Sequence, residues 1–485
     1  MLHIAEKMTK DRIIKNTIVL FLGSAIGNLL SFFLIVIIAR YLGPVGVGQY
    51  SFIFAFAYLI ILLGHPGLEY LIVKEVPGNS RLMPQYGANI LCMKIIFATV
   101  AVSVTVFFSL FVDKSALVIH SLLIVCIIYG INVVGSAFAG VLHANQRMDL
   151  TSLAEVAERG IGLILGVIFL YLTRSLLYLV LALLFSRLIR EVLYFLFSRK
   201  YFTPKFGFAF GLWKKLFLKS LPFSLSMAFL YIYYRIDTVM LSLMVNDQVT
   251  GWYNAAYRLI DVVNYIPFLI VTAILPPMAR SSKKDHELLI DIFNRSLRYL
   301  VLLSIPIGVG IFWLSPRIIL FVYGGGFGNA ALALRILIWA EVIVFVNYLC
   351  GHLLNVIDRQ RVFTTIIGIT AGFNIILNFI LIPKYTYMGA GIATLVSEVL
   401  IFFLMYHFVG KYFIKVKIWA VVWRPILASL VMAIVILIVD SLPLWYVIPT
   451  GAMTYFLSFF LLDGFNEHDK DALFTILSMI GFRKA

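Results

Sequence analysis

The chain has 485 residues, of which 62% are hydrophobic and only 13% are charged. A soluble protein of this length needs more charge to solvate its surface, so the composition excludes a soluble globular protein and indicates an integral membrane protein. The net charge of +16 would suggest nucleic-acid binding in a soluble protein. In a membrane protein, basic cytoplasmic loops and their contact with anionic lipid explain it, and we expect no nucleic-acid partner.

Apolar stretches long enough to cross a bilayer as a helix recur along the whole chain. We predict about fourteen transmembrane helices, at roughly residues 16–39, 50–73, 87–112, 117–141, 151–173, 175–198, 220–245, 252–279, 296–315, 331–357, 362–382, 388–410, 419–440 and 443–463. The Gly64–Gly67 break is expected to split or bend the second span. The first apolar run is too long for a cleaved signal peptide, so we expect it to remain in the protein. The predicted fold class is an all-α polytopic membrane protein.

A tight elbow joins the first two spans at Ala39–Tyr50. Arg40 ends the first span, and the chain then turns through a stretch rich in glycine and proline, which favour a turn and end a helix. A weaker copy lies at Asn246–Tyr253, between the seventh and eighth spans. Gly251 of this copy aligns with Gly48 of the elbow, which indicates a duplicated structure.

The longest connection between spans, Ser198–Ser220, is also the most basic, and it divides the chain into comparable halves. A second match between the halves pairs Leu142–Arg147 with Val356–Arg361. We predict an N-terminal six-helix bundle (1–198), a basic cytoplasmic linker (199–219), a C-terminal six-helix bundle (220–410), and two additional helices with a cytoplasmic tail (411–485). We expect an internal repeat to relate the two bundles. Such repeats are common in transporters, which bind their substrate between the two halves.

The distribution of Lys and Arg predicts the orientation. With the N terminus in the cytoplasm, the cytoplasmic loops hold about six basic residues for each one in the opposite loops, a strong positive-inside bias. The opposite loops hold Lys114, Arg174, Arg317 and Lys384. We therefore expect a multi-pass protein of the cell membrane with both termini in the cytoplasm.

Ionisable residues inside the spans are candidate functional residues, because a charge is costly in a bilayer. Three opposite-charge pairs are one helical turn apart: Glu155 with Arg159, Arg187 with Glu191, and Arg258 with Asp261. Such pairs either pack two helices or belong to a site, and both explanations remain open. No such partner is evident for Arg40, Lys94, Glu158, Arg190, Arg235, Asp237, Arg298, Arg335, Glu341 and Glu398.

The depth of these charges sorts them. A count of ~1.5 Å per residue from the span ends places Arg159, Arg187 and Arg235 nearest the midplane. Lys94 and Arg298 are expected to snorkel to the cytoplasmic surface, and Arg40 and Arg335 lie towards the outer face. Several interior arginines on both halves predict an anionic ligand, best matched by phosphate or pyrophosphate. Four carboxylates are candidates for binding a coupling proton or Na⁺, or else are counter-charges for the arginines: Glu155, Glu158, Asp237 and Asp261.

No catalytic residue, metal site or cofactor is predicted. Cys92, Cys126 and Cys350 are far apart in apolar runs and indicate neither a disulfide framework nor a metal site. A membrane enzyme is not expected either, because no loop exceeds roughly twenty residues, which is too short for a soluble catalytic domain.

Six stretches of the chain carry a family resemblance: Ala39–Phe52, Gly67–Val76, Gly140–Arg147, Arg235–Met240, Gly251–Leu259 and Gly389–Ala393. Together they resemble the polysaccharide-type flippases, whose superfamily also contains the multidrug and toxin extruders and the lipid II flippases. The resemblance implies two six-helix bundles, an apolar lipid groove, and a cationic cavity that opens alternately to either face. The implied cargo is an undecaprenyl- or dolichyl-linked oligosaccharide moved from the cytoplasmic to the outer leaflet. Its pyrophosphate would bind Arg159, Arg187, Arg235 and Arg258, with Arg40 as a further candidate.

The expected partners are the lipid-linked oligosaccharide and membrane lipids, with H⁺ or Na⁺ and polysaccharide-assembly enzymes as further candidates. Alternating access would be driven by a proton or Na⁺ gradient, or by the product gradient alone. The alternative is a multidrug or metabolite exporter of the same superfamily. Several interior arginines argue against that alternative, because cationic drugs require carboxylates.

Overall fold

A computed structural model of the protein describes residues 2–62, 67–76, 82–204, 207–282 and 285–464. Within these ranges, residues 2–21, 222, 223 and 226 are described by their backbone alone. Residues 64–66 of the predicted break lie outside the described residues. So do the predicted cytoplasmic tail beyond Gly464 and the basic residues Arg81, Lys205, Lys283 and Lys284.

The described residues form thirteen α-helices and one short 3₁₀ turn at Gly325–Phe327. The helices are α1 (Leu2–Ile61), α2 (Leu68–Glu75), α3 (Met83–Ser109), α4 (Ala116–Ala144), α5 (Met148–Thr173), α6 (Leu176–Ser198), α7 (Phe210–Met244), α8 (Asp247–Ser281), α9 (His286–Tyr323), α10 (Ala330–Val356), α11 (Gln360–Tyr412), α12 (Ile418–Ile438) and α13 (Leu444–Leu461). α1 and α11 are each two helices joined across a kink, at Gly43 and Thr386. Each of these two therefore contains two predicted spans, and every other helix except the eight-residue α2 contains one. The prediction of an all-α polytopic membrane protein with about fourteen spanning helices is confirmed.

Nine of the described helices are long and apolar enough to cross a membrane by length and composition: α1 from Leu22, α3, α4 and α8–α13. Their outer faces carry large apolar side chains; on α13, Trp445, Met453 and Leu461 are 68%, 73% and 75% exposed. Helices that are apolar on every face suit a lipid environment. The predicted spans on α5, α6 and α7 carry most of the interior charges that form the candidate site.

The elbow in α1 lies at Gly43, whose φ of 64° and ψ of −168° interrupt the helix immediately before Pro44. A positive φ is open to glycine at little steric cost, and proline fixes the φ of the residue after the turn. Its predicted copy lies where α7 ends at Met244 and α8 begins at Asp247. Both turns are therefore where the sequence places them.

The two elbows contact each other through their backbones. A Cβ atom built on Gly48 would lie 1.7 Å from the carbonyl oxygen of Asp247, and one built on Gly251 would lie 1.8 Å from the carbonyl oxygen of Pro44. Gly251 contacts Pro44, which lies four positions before Gly48, and Gly48 contacts Asp247, which lies four positions before Gly251. The contact is thus reciprocal, as expected for duplicated segments that pack about an approximate twofold axis, and only glycine leaves enough room for it.

The helices group into two compact units. One comprises Met1–Ala255 with Asn378–Tyr387, and the other comprises Ala256–Leu377 with Met388–Ala485. In the second unit, the additional helices α12 and α13 pack with α9 in an apolar cluster, in which the Tyr455 hydroxyl donates to the carbonyl of Leu302 at 2.7 Å. The predicted four-part division of the chain stays a prediction.

The described part of the predicted basic linker packs against α3 in the first unit. The amide oxygen of Asn89 accepts hydrogen bonds from the backbone N–H of Ala209 at 2.9 Å and from the indole N–H of Trp213 at 2.8 Å. The ring of Phe202 covers Gly87, where a Cβ would lie 2.6 Å from it. These contacts hold the start of α7 beside the start of α3.

Candidate functional site

Arg159 extends from α5 to α1. Its Nη1 donates a hydrogen bond to the amide oxygen of Asn28 at 2.6 Å, and Gly27 leaves the space that the guanidinium occupies. The side chain is half-buried, and within the described part of the chain no carboxylate lies within 4.0 Å of it. The predicted Glu155–Arg159 pair is therefore wrong: Glu155 instead accepts a hydrogen bond from the hydroxyl of Tyr194 on α6 at 3.1 Å. Arginine is long enough to reach the neighbouring helix, and the small residue there lets it approach.

Four charges form a quartet between α5 and α6: Glu158, Arg187, Arg190 and Glu191. Glu158 lies 3.1 Å from Nε of Arg187 and 2.9 Å from Nη1 of Arg190. Arg190 also bonds Oε1 of Glu191, its Nε at 3.1 Å. The predicted Arg187–Glu191 pair is thus replaced by Arg187–Glu158, and Glu158 and Arg190 have the partners that the sequence did not reveal. The quartet carries no net charge, so its arginines are already compensated.

Asp237 fastens α7 to α8 within the first unit. It is 2% exposed, accepts a hydrogen bond from the hydroxyl of Tyr253, and accepts another from the backbone N–H of Thr238 at 2.7 Å. The Thr238 hydroxyl in turn donates to Asn254 at 3.1 Å. Arg235, two residues before Asp237, is half-buried on the same helix.

The remaining candidates are the Arg258–Asp261 pair and Arg40. Arg258 and Asp261 pair at 3.3 Å on α8, as predicted, and the two side chains are about one-third exposed at 33% and 34%. Arg40 is exposed at the elbow. The candidates on α1, α5, α6 and α7 thus belong to the first unit, and the Arg258–Asp261 pair on α8 belongs to the second.

Lys94 does not snorkel, contrary to the prediction. Its side chain is 0% exposed, because α2 places Glu69 2.6 Å from its Nζ and Ser136 of α4 accepts a second hydrogen bond. Arg298 donates to the carbonyl of Gly464, and Arg335 donates to the carbonyl of Phe312 at 3.2 Å. Because each of these side chains has a hydrogen-bond partner within the protein, it need not extend to the membrane surface.

A half-buried ion pair that the sequence did not indicate anchors the second elbow. Lys114, in the loop between α3 and α4, lies 2.6 Å from Asp247, and the two side chains are only 12% and 14% exposed. Lys114 also donates to the carbonyl of Ser242 at 2.7 Å, while the Ser242 hydroxyl donates to Asp247 at 2.7 Å. The partners are 133 residues apart, so no spacing rule within one helix connects them.

Two buried carboxylates of the second unit have amide partners. Glu341 accepts from Asn264 at 3.0 Å, and Glu398 accepts from Asn347 at 2.8 Å. Each glutamate is 3% exposed. Across the described ranges, no group of three or more His, Cys, Asp or Glu side chains could hold a metal ion.

Comparison with known families decides the identity of the fold. The family model described as "Polysaccharide biosynthesis protein" matches residues 13–282, more than half of the chain. The chain belongs to this family. A second model, MatE, matches residues 222–380. The predicted membership of the superfamily that joins polysaccharide flippases with multidrug extruders is thus confirmed.

Two archaeal relatives of this family member come from Haloferax volcanii. The chain is 26% identical over 205 residues to the probable low-salt glycan biosynthesis flippase Agl15, a match that covers 42% of this chain and 43% of the relative. It is 32% identical over 176 residues to the probable flippase AglR, covering 35% of this chain and 36% of that protein. The matches therefore span less than half of either relative.

The same architecture occurs in the lipid II flippase MurJ in an inward closed conformation. That structure matches with a TM-score of 0.76 at 18% identity and covers 91% of this chain and 98% of the other. At this identity the likeness establishes the fold alone. The chain is a multi-pass membrane protein with a MurJ-like arrangement of helices.

Proposed function

We propose that this protein is a flippase for polysaccharide biosynthesis. It would translocate a polyprenyl-pyrophosphate-linked oligosaccharide from the cytoplasmic to the outer leaflet of the cell membrane by alternating access, with both termini in the cytoplasm. The family, the names of its two relatives and the MurJ-like fold support a transporter rather than an enzyme.

The observation that carries the choice of substrate is the environment of Arg159. A charged side chain near the centre of a membrane helix costs about 2.5–3.5 kcal/mol by insertion measurements, so it needs a compensating partner. Arg187 and Arg190 have carboxylates between the same helices, whereas the described partner of Arg159 is the neutral amide of Asn28. The charge of Arg159 is therefore available to an anion, and the guanidinium fork suits the oxygens of a pyrophosphate.

The other arginines take lesser parts in this proposal. Arg187 is neutralised by Glu158, so it orders the site more than it attracts the substrate. Arg235, half-buried on α7, is a further pyrophosphate candidate of the first unit, and Arg258, which pairs with Asp261, is a candidate of the second. Arg40, exposed at the elbow, suits a gate or exit-side contact better than the main anchor.

A proton or Na⁺ gradient would drive the cycle, and Glu155 is the carboxylate best suited to couple it. Glu158 and Asp261 are bound to arginines, and Asp237 already accepts two hydrogen bonds within its helix pair. Glu155 has a hydroxyl partner, Tyr194, in place of a cation. Transport that responds equally to imposed H⁺ and Na⁺ gradients in Glu155→Gln and in the wild type would contradict this assignment.

The experiment that separates the proposal from its alternative is a substrate test. Purified protein is reconstituted in liposomes with a fluorescent polyprenyl-pyrophosphate-linked oligosaccharide, and a membrane-impermeant quencher reports the fraction in the outer leaflet. Time-dependent redistribution of this lipid, without uptake of organic cations by the same vesicles, is the expected result. Uptake of organic cations without lipid redistribution would favour a multidrug exporter.

A further inference from the structure

A groove of about 480 Å³ lies between α3, α4 and α6 of the first unit. α3 contributes residues at helical spacing from Ile95 to Ser103, and α4 contributes a stripe from Ile127 to Phe138. The α4 stripe is apolar, and the α3 stripe is apolar apart from the hydroxyl groups of Thr99 and Ser103. The groove wall also includes Glu191, the member of the quartet that faces α4.

Two glycines of α4 make the room. A Cβ on Gly130 would lie 3.0 Å from the side chain of Val102 on α3, and a Cβ on Gly135 would lie 1.6 Å from Oε2 of Glu191. The rim is open to the surroundings of the helices, because Ile95 and Ile127 are 37% and 47% exposed. In a membrane-spanning bundle such an opening faces lipid. Its volume lies within the range of roughly 300–1,000 Å³ that is typical of ligand pockets.

One carboxylate oxygen in the groove wall has no hydrogen-bond donor among the described residues. Glu191 is 8% exposed, and Oε1 accepts the bonds from Arg190. Oε2 is buried and accepts no hydrogen bond from any described residue. A buried carboxylate oxygen without a donor is costly, so a donor in the groove would stabilise Glu191 once its carboxylate turns from Gly135 towards the groove.

We propose that this groove binds a membrane lipid that carries a hydroxyl group. The hydrocarbon chain lies along the stripes of α3 and α4, and the hydroxyl donates a hydrogen bond to Oε2 of Glu191. A hydroxyl fits better than an ammonium group, because the quartet of Glu158, Arg187, Arg190 and Glu191 is already electrically neutral. The site goes beyond the proposed translocation of lipid-linked sugar and does not depend on it.

The test compares two photoreactive probes on the protein in phosphatidylcholine nanodiscs. One is a long-chain alcohol with a diazirine in its chain, and the other is its methyl ether, which accepts but cannot donate a hydrogen bond. Mass spectrometry then quantifies adducts on the α3 and α4 segments of the groove. We expect about tenfold more adduct from the alcohol, the scale of one hydrogen bond to a charged acceptor.

Variants make the interpretation specific. In Glu191→Gln the amide places a donor in the groove, so the alcohol and the ether should label equally. Thr99→Trp fills the groove and should abolish labelling by the alcohol, whereas Val100→Trp, next to it but outside the groove lining, should label as the wild type does. An excess of unlabelled alcohol should reduce the wild-type adducts, which keeps the test decisive if Thr99→Trp does not fold. Equal labelling by the two probes in the wild type, or adducts that do not saturate, would overturn the proposal.

Discussion

The reciprocal contact between the elbows gives a stability prediction for Gly48→Ala. The new Cβ would lie 1.7 Å from the carbonyl oxygen of Asp247, where real contacts of this kind stay beyond 3.0 Å. The two segments must therefore separate by about 1.3 Å, the difference between those distances, and no side-chain rotation can relieve a clash with backbone. Overpacking costs roughly 1–3 kcal/mol, and we expect a loss of about 3 kcal/mol here. Gly251→Ala should behave alike.

The assay measures the apparent midpoint of thermal unfolding in detergent. The signal is the fraction of protein that still elutes as a monodisperse peak after heating. A membrane protein of this size unfolds irreversibly, so variants are compared at one heating rate. The matched control is Gly372→Ala on α11, where nothing lies within 4 Å of the new Cβ. Replacing a helical glycine there should be neutral or stabilising by up to about 1 kcal/mol. Equal midpoints for Gly48→Ala and Gly372→Ala would refute the packing of the elbows.

Two further predictions concern ion pairs. Lys114→Met should destabilise the protein by about 1–3 kcal/mol, because it leaves the half-buried Asp247 without its cation. Adding Asp247→Asn should restore much of the loss. A double-mutant cycle in thermal unfolding measures this coupling, and additive effects would contradict the pair. A hydrogen bond from Lys219, and a weaker contribution from Tyr86, hold the pKa of Glu75 below its usual value of 4.5. The Lys219–Glu75 pair therefore stabilises the docking of α7 fully above pH 4.5. This stabilisation is lost as the pH falls through the lowered pKa. Hydrogen exchange at the start of α7 should therefore rise in acid by an amount that corresponds to less than about 1 kcal/mol, because the pair is partly exposed. Lys219→Gln should reduce this dependence, leaving the smaller part that the Tyr86 hydrogen bond contributes.

Features encoded within one stretch of chain were predictable from the sequence. Span length and apolar composition determine the helices, the Gly-Pro turn determines the elbow, and Arg258 and Asp261 pair because both lie on one helix a turn apart. The equivalence of Gly48 and Gly251 was also visible. Their mutual contact was not, because a repeat in sequence does not say how its copies pack.

Contacts between different helices could not be predicted from spacing within one helix. Arg187 has a carboxylate one turn away in its own helix, yet the nearer partner is Glu158 on α5. Lys94 was expected to snorkel because it lies near the cytoplasmic end of its predicted span. Its partner Glu69 is 25 residues away in sequence, yet the fold brings the carboxylate within 2.6 Å of Nζ. For Arg159, sequence position indicated the depth, but a neutral partner such as Asn28 leaves no charge pattern to detect.

The central claim is that Arg159 binds the pyrophosphate of a lipid-linked oligosaccharide. The most direct measurement is the initial rate of redistribution of that lipid in proteoliposomes that contain Arg159→Gln, relative to the wild type at matched protein incorporation. Arg174→Gln, at the exposed C-terminal end of the same helix, is the control. We predict a loss of at least about tenfold for Arg159→Gln, equivalent to about 1.4 kcal/mol, and an unchanged rate for Arg174→Gln. Equal rates for Arg159→Gln and the wild type would contradict the claim.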